Sequence, residues 1–278
     1  MKILITGSSG FIASNISSYL KNYDVVRLSR AELDLTNQKL VKSFFDKNYF
    51  DVVLNTSVVG GRRLIEDSEK VFYDNVCMMM NLLQNKSRYK KLINFGSGAE
   101  LDRSQNIDDN ISSHNDCFPV DYYGLSKNII ARISDSEKNI YNLRIFNVFE
   151  HNEEKNRMIA SNILNYINHK PITINQDRYI DFIYMSDLMK ILESYIVNTD
   201  MPKTFNCVYS KKYKLSDIAK IINNLSNYKV NIEIINKNPG LSYCGKYENI
   251  GLDFEGLEKG IRNIYEKFEK EINEKSFN

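Results

Sequence analysis

Apolar and polar positions along the first 150 residues follow two alternating rhythms. Short, nearly unbroken apolar runs lie at Lys2 to Thr6, Asp24 to Leu28, Asp51 to Asn55, Lys91 to Phe95 and Asn142 to Phe146. Between them, apolar residues recur at helical spacing: Phe11, Ile12, Ile16, Tyr19 and Leu20, then Leu40, Val41, Phe44 and Phe45, then Val71 to Leu83, then Tyr123 to Ser134. The runs predict strands buried on both faces, and the wider period predicts the helices that cover them. Strand and helix in alternation predict an α/β fold with a parallel sheet.

The rhythm changes near residue 150. His151 to Asn156 is polar and predicts a loop. Helical patterns follow at Ile159 to Asn168, Ser186 to Val197 and Leu215 to Leu225, with strand-like pieces at Ile172 to Ile174 and Thr204 to Val208. Leu257 to Phe268 predicts an exposed amphipathic helix. No repeat or low-complexity linker interrupts the chain. The expected division is 1–150 and 151–278, the second part smaller and α+β, with the chain able to cross back to the first.

Composition narrows the function classes. The apolar fraction of 42% and charged fraction of 26% are those of a soluble globular protein. With 37 basic against 35 acidic residues, the net charge of +2 gives no electrostatic case for nucleic acid. No apolar run approaches the ~18 residues of a membrane span, and the N-terminus reads as a strand rather than a signal peptide. Cys77, Cys117, Cys207 and Cys244 are scattered, without a CxxC pair, and His114, His151 and His169 are dispersed. Free thiols in a reducing cytoplasm and no metal site are therefore expected. The abundance of Lys, Asn and Ile hints at an AT-rich bacterial gene.

The first strand runs into Thr6-Gly7-Ser8-Ser9-Gly10-Phe11-Ile12-Ala13, which opens the first helix. Gly7 permits a tight turn, Gly10 lets the backbone approach a pyrophosphate, and Ala13 keeps the helix close to the strand. Free N–H groups at the helix start favour the phosphates, so a dinucleotide is expected here. At the end of the second strand stand Ser29 and Arg30, with no acid directly there to hold a 2′-hydroxyl. A guanidinium suits a 2′-phosphate, which favours NADP over NAD. Asp34-Leu35 is placed to meet the adenine edge.

Tyr123-x-x-x-Lys127 puts a phenol and an ammonium on one helix face. A nearby ammonium lowers a phenol's pKa, and such a Tyr can exchange a proton with a sugar hydroxyl or ketone oxygen. Ser97, in Asn94-Phe95-Gly96-Ser97-Gly98-Ala99-Glu100, follows the fourth strand at the sheet edge where open α/β folds bind ligands. Glu100 reads as a solvated loop residue.

Together these pieces resemble the extended short-chain dehydrogenase/reductases, the NAD-dependent epimerase/dehydratase family acting on nucleotide sugars. The matching residues are Gly7-x-x-Gly10-x-x-Ala13, Asp34-Leu35, Asn55-Thr56-Ser57, Asn75, Ser97, Tyr123-x-x-x-Lys127, Arg144-Ile145-Phe146-Asn147-Val148 and Asp181 to Asp187. The resemblance implies a Rossmann-type doubly wound parallel sheet with a smaller α+β substrate-binding C-terminal part. It implies Ser97, Tyr123 and Lys127 as the catalytic triad. Gly7, Ser9, Gly10, Phe11, Ile12, Arg30, Asp34, Leu35, Asn55, Thr56, Ser57, Asn75, Tyr123, Lys127 and Ile145 would line the cofactor. Ser97, Gly98, Asn147, Arg157 and Arg178 would meet substrate. A homodimer through two helices per subunit is implied as well.

Within the family, Arg30 to Leu35 and Val59-Gly60-Gly61 most resemble the GDP-L-fucose synthase-like nucleotide-sugar reductases. Those enzymes epimerise with a Cys two residues beyond the catalytic Ser and a His in the substrate part; here Ala99 and the region of Arg157 stand in those places. Neither a methyl group nor a guanidinium serves as a proton shuttle. The Thr-Asp-Glu of the dehydratases is also missing. Ile180 replaces the usual Arg before Asp181, leaving Arg178 for the diphosphate contact, and Glu150 replaces a usual Gly.

The expectation is cytoplasmic, NADPH-dependent C4 reduction of a nucleotide-linked, GDP-type 4-keto sugar without C3/C5 epimerisation, serving bacterial capsule or lipopolysaccharide assembly. A 4-epimerase with tightly bound NAD needs the same triad and stays open. A catalytically silent NADP-binding sensor or scaffold is the alternative of another class.

Overall fold

The computed structural model describes residues 1–62, 65–108 and 113–276. In chain order the elements are β1 (Lys2–Thr6), α1 (Phe11–Tyr19), β2 (Asp24–Leu28), α2 (Gln38–Lys47), β3 (Phe50–Asn55), α3 (Glu69–Leu83), β4 (Tyr89–Ser97), α4 (Tyr122–Ser136), β5 (Ile140–Ile145) and β6 (Val148–Phe149). There follow α5 (Met158–Ile167), β7 (Ile172–Gln176), β8 (Ile183–Tyr184), α6 (Met185–Val197), β9 (Thr204–Cys207), α7 (Leu215–Asn223), β10 (Ile232–Asn236) and α8 (Leu257–Ser276).

They form two units. The first comprises Met1–Ser104, Ile111–Ile145 and Leu192–Asn206. Its six-stranded sheet runs β2-β1-β3-β4-β5-β9, with parallel pairing from β2 through β5. This is the expected doubly wound α/β sheet. The central strands are buried on both faces, while Asp24 and Arg27 of the edge strand β2 are exposed. On one face Val41 and Phe45 of α2 and Met78, Met79 and Leu82 of α3 pack over Leu4, Val53 and Leu92. Asn37 caps α2 by accepting Leu40 N–H, and Asp121 caps α4 by accepting Gly124 N–H at 2.7 Å, as short polar side chains do at helix starts.

The second unit comprises Gln105–Asn110, Phe146–Ile191 and Cys207–Asn278. It holds two small parallel pairs, β7 with β10 and β6 with β8, among α5, α7 and α8. The fully buried Asp187 accepts Tyr209 Oη at 2.6 Å and the N–H groups of Glu255 and Gly256 at 2.8 and 2.9 Å. The amphipathic helix expected at the C-terminal end forms as α8, exposing its polar face and burying its apolar one through Leu257, Ile261, Ile264, Tyr265 and Phe268. Gly260 permits this closeness, since a Cβ there would lie 2.7 Å from the Tyr184 ring.

Candidate active site

The turn after β1 is built for close approach. Gly7 has φ +67°, and a Cβ on it would lie 2.9 Å from the Ser57 backbone. Gly10 N–H closes the turn on Gly7 O at 3.0 Å, and Ser8 N–H donates to Leu28 O at 3.1 Å. Helix α1 then starts at Gly10 with no side-chain cap and no acid in its first turn. Its first N–H groups and its positive end are therefore open to an anion, which fits a dinucleotide diphosphate. Ser9 and Gly10 are exposed, and Phe11 and Ile12 are half-buried.

Charges gather where β2 ends. Arg30 is exposed and lies 3.5 Å from Asp34. The Thr36 N–H bonded to Asp34, more than Arg30, holds that carboxyl below its usual range. Two further groups escaped the sequence reading. Arg27 donates to Ser8 O at 3.2 Å, inside the glycine turn. Glu32 turns back to accept both Ser29 N–H and Ser29 Oγ at 2.7 Å, so an acid does reach the strand end. The Ser29 N–H also lowers the Glu32 pKa. Residue spacing alone could not show that return.

Ser97 is the last residue of β4, and Tyr123 and Lys127 lie in the first turns of α4. Ser97 Oγ accepts Ala99 N–H at 3.2 Å, which leaves its own O–H to donate. Lys127 is buried, its Nζ donating to Phe95 O at 2.9 Å and lying 5.9 Å from the Tyr123 ring centre. Arg103, paired to Asp121 at 2.8 Å, lies 5.8 Å from the same ring. Gly61, with φ +74°, passes so close that a Cβ would lie 2.7 Å from the Tyr123 ring. Asp67 holds that turn by accepting Gly61 N–H at 3.0 Å.

The phenol is not lowered by Lys127 as expected. Burial pushes Tyr123 up, while a hydrogen bond with Ser97 and the charge of Arg103 oppose the rise. Burial pushes Lys127 itself down to about 8, against the pull of Glu100. Glu100 also corrects the reading of a solvated loop residue: it is fully buried and completes a capping box with Ser97. The reason is a set of partners on β5 that no local pattern reveals.

Other candidates turn their polar atoms inward. Asn55 bonds Thr6 Oγ1 and Asn94, and Asn75 bonds both polar groups of the Val59 backbone and Ser126 Oγ. Thr56 Oγ1 donates to Thr6 O at 2.6 Å, and Ser57 lies against Gly7. Leu35 belongs to the apolar core, while Gly98 and Ile145 are buried at the ends of β4 and β5. Asn147, Arg157 and Arg178 belong to the second unit and are half-buried. Asn147 donates to Asp181 O at 2.9 Å, and Arg157 lies 3.6 Å from Glu153.

Comparison with known proteins follows the same lines. The model of the NAD dependent epimerase/dehydratase family matches residues 3–207. A GDP-L-colitose synthase from Yersinia pseudotuberculosis is 24% identical over 256 residues, covering 82% of this chain and 83% of that protein. A GDP-mannoheptose C4 reductase from Campylobacter jejuni, solved with NADP bound, is 19% identical with a TM-score of 0.81, covering 96% of this chain and 98% of its own. A GDP-L-fucose synthetase from Naegleria fowleri is 16% identical with a TM-score of 0.80, over 98% and 94%.

Proposed function

The chain belongs to the NAD dependent epimerase/dehydratase family, and from that membership we propose that it is an NADPH-dependent C4 reductase of a GDP-linked 4-keto sugar. The observation that carries the reading is the buried Lys127 with its Nζ 5.9 Å from the Tyr123 ring centre, together with Ser97 at the end of β4 and a fully buried Ala99 beyond it. The names of the colitose, heptose and fucose relatives agree with it.

Bound NADPH would supply the hydride. Tyr123 Oη gives its proton to the sugar O4, and the Ser97 hydroxyl donates to the same oxygen and orients it. A phenol kept protonated by burial suits a proton donor. Lys127 supplies a positive charge behind the phenol and a donor for the nicotinamide ribose. Ala99 offers no ionisable group where epimerising relatives carry one, so C3 and C5 keep their configuration. Arg27 and Arg30 favour a 2′-phosphate. Arg178 and Arg157 are assigned to substrate, with Asn147 and Gly98. The reading includes a cytoplasmic homodimer serving surface-polysaccharide synthesis.

Absorbance at 340 nm tests it, with NADPH and a panel of nucleotide-linked 4-keto sugars. Oxidation with one of them, and a product unchanged at C3 and C5, is expected. Tyr123→Phe should cut kcat by about a thousandfold or more, the scale of a lost general acid, with NADPH binding kept. Unimpaired turnover in that variant would sink the role.

One observation favours a second reading. Glu32 stands at the strand end where an acid holds the ribose 2′-hydroxyl of NAD. A 4-epimerase would then retain NAD through purification and interconvert sugars without net oxidation of NADPH.

A further inference from the structure

Glu100 and Arg144 form a fully buried ion pair, with Glu100 Oε2 accepting Arg144 Nε at 2.8 Å. Such pairs gain little stability, since desolvating both charges offsets their attraction. The surroundings give this one another use. Glu100 Oε1 accepts the Ser97 backbone N–H at 2.8 Å, and Asn142 Nδ2 reaches both carboxylate oxygens at 3.1 and 3.0 Å. Arg144 is held from behind by Asn206 Oδ1 at 2.9 Å and His114 Nδ1 at 2.8 Å. His114 in turn lies 3.0 Å from Asp135.

Asn142 is itself oriented. A row of buried side chains crosses the sheet on register partners: Thr6 Oγ1 to Asn55 at 3.0 Å, Asn55 to Asn94 at 2.9 Å, Asn94 to Asn142 at 2.8 Å. Each amide's oxygen is occupied by the preceding donor, so Asn142 presents its NH2 to Glu100. Gly96 leaves the space: a Cβ there would fall on the Glu100 carboxylate and lie 2.5 Å from Asn142 Oδ1.

The geometry points to Glu100 as a positioning residue for proton transfer. Its clamped carboxylate fixes the Ser97 backbone, and with it the Ser97 hydroxyl, and sets a carboxylate in the field felt by Tyr123 and Lys127. The inference rests on the reading of those three residues as the reacting set. The charge of Glu100 raises both the phenol and the ammonium, so it favours the protonated form of each. Arg103 lowers Tyr123 and Asp67 raises it, and Lys127 faces the ring from the same helix with its Nζ 5.9 Å from the ring centre.

The test needs no substrate. Protein labelled with 3-fluorotyrosine is titrated by 19F NMR, the Tyr123 resonance being assigned by its loss in Tyr123→Phe. Glu100→Gln keeps the shape and an acceptor but removes the charge. Its Tyr123 midpoint should fall by about one pH unit, the scale of a lost neighbouring charge. Glu100→Gln combined with Arg144→Gln removes both members of the buried ion pair, and it should fold and keep the fall. In turnover, the alkaline limb of kcat should move down with the midpoint while the KM for NADPH stays. A lower Tm with an unmoved midpoint in either variant would overturn the inference and leave Glu100 a framework residue. Full turnover in Tyr123→Phe would defeat the chemical reading, and the midpoint would still report on Glu100.

Discussion

Glu153 is buried with one carboxylate oxygen, Oε1, lacking a hydrogen-bond partner, and Arg157 stands off at 3.6 Å. Burial pushes its pKa up to about 7, against the pull of Arg157 and the Ala160 N–H. Unfolding returns the carboxyl to its ordinary value of 4.5. Between those two values the folded chain binds the extra proton, so stability falls as pH rises from 4.5 through 7. The loss at pH 8 is about 3 kcal/mol if this group acts alone. Glu153→Gln should therefore raise Tm at pH 8 and change it little at pH 4.5. An equal gain at both pH values, read by calorimetry, would assign the effect to packing instead. Glu153 and Glu100 show what a residue's name conceals. Both read as loop carboxylates, and both are buried, one without a full set of partners and one with the Arg144 guanidinium, the Ser97 N–H and the Asn142 amide donating to it.

Elements place these side chains, and the loop after β3 is the most exacting of them. Gly61 needs a positive φ and lies against the Tyr123 ring, so Gly61→Ala strains the backbone and drives a methyl into the phenol. The loop is surface structure, so Tm should change by only a few degrees while kcat falls about a hundredfold, as a displaced reacting group would have it. An unaltered kcat would show that Tyr123 has room to move. Much at this scale was legible. The apolar runs marked β1 and β2 to the residue, β1 because it is buried on both faces and β2 because Val25, Val26 and Leu28 stay apolar even at the sheet edge. The glycine turn and the Tyr123–Lys127 spacing were legible because local geometry dictates them. Other features depended on partners distant in the chain. Tyr89–Ser97 extends β4 beyond its apolar run at both ends, which makes Ser97 a strand residue rather than a loop one. Strand β10 was not anticipated, since Ile232 to Asn236 is half-exposed and pairs with β7, some sixty residues earlier. The asparagine row across β3, β4 and β5 is invisible until register aligns Asn55, Asn94 and Asn142.

Neither unit of the molecule is continuous in sequence, and that has a consequence for any attempt to isolate the nucleotide-binding part. Residues 192–206 return to the first unit. There Tyr195, Ile196 and Phe205 are buried, and β9 covers the edge of β5. The buried Lys91 gives its protons to the carbonyls of Tyr195, Ile196 and Asn198, and Tyr141 Oη donates to Thr199 O at 2.8 Å. Lys203 caps the carbonyls of Glu137 and Ile140, and Asn206 supports Arg144 behind Glu100. A fragment ending at residue 150 keeps the glycine turn, Ser97, Tyr123 and Lys127 but loses all of these. It exposes a long apolar strand edge and leaves Arg144 short of a partner, faults that invite aggregation and loose packing. The fragment should lack near-ultraviolet circular dichroism and dispersed amide resonances, and should bind NADPH at least about tenfold more weakly than the full chain, as expected when the competent fold is a minor population. Native-like spectra and full NADPH affinity from residues 1–150 would mean that the returning segment is dispensable. Its absence would then have to be felt at Glu100 alone, through the missing Asn206.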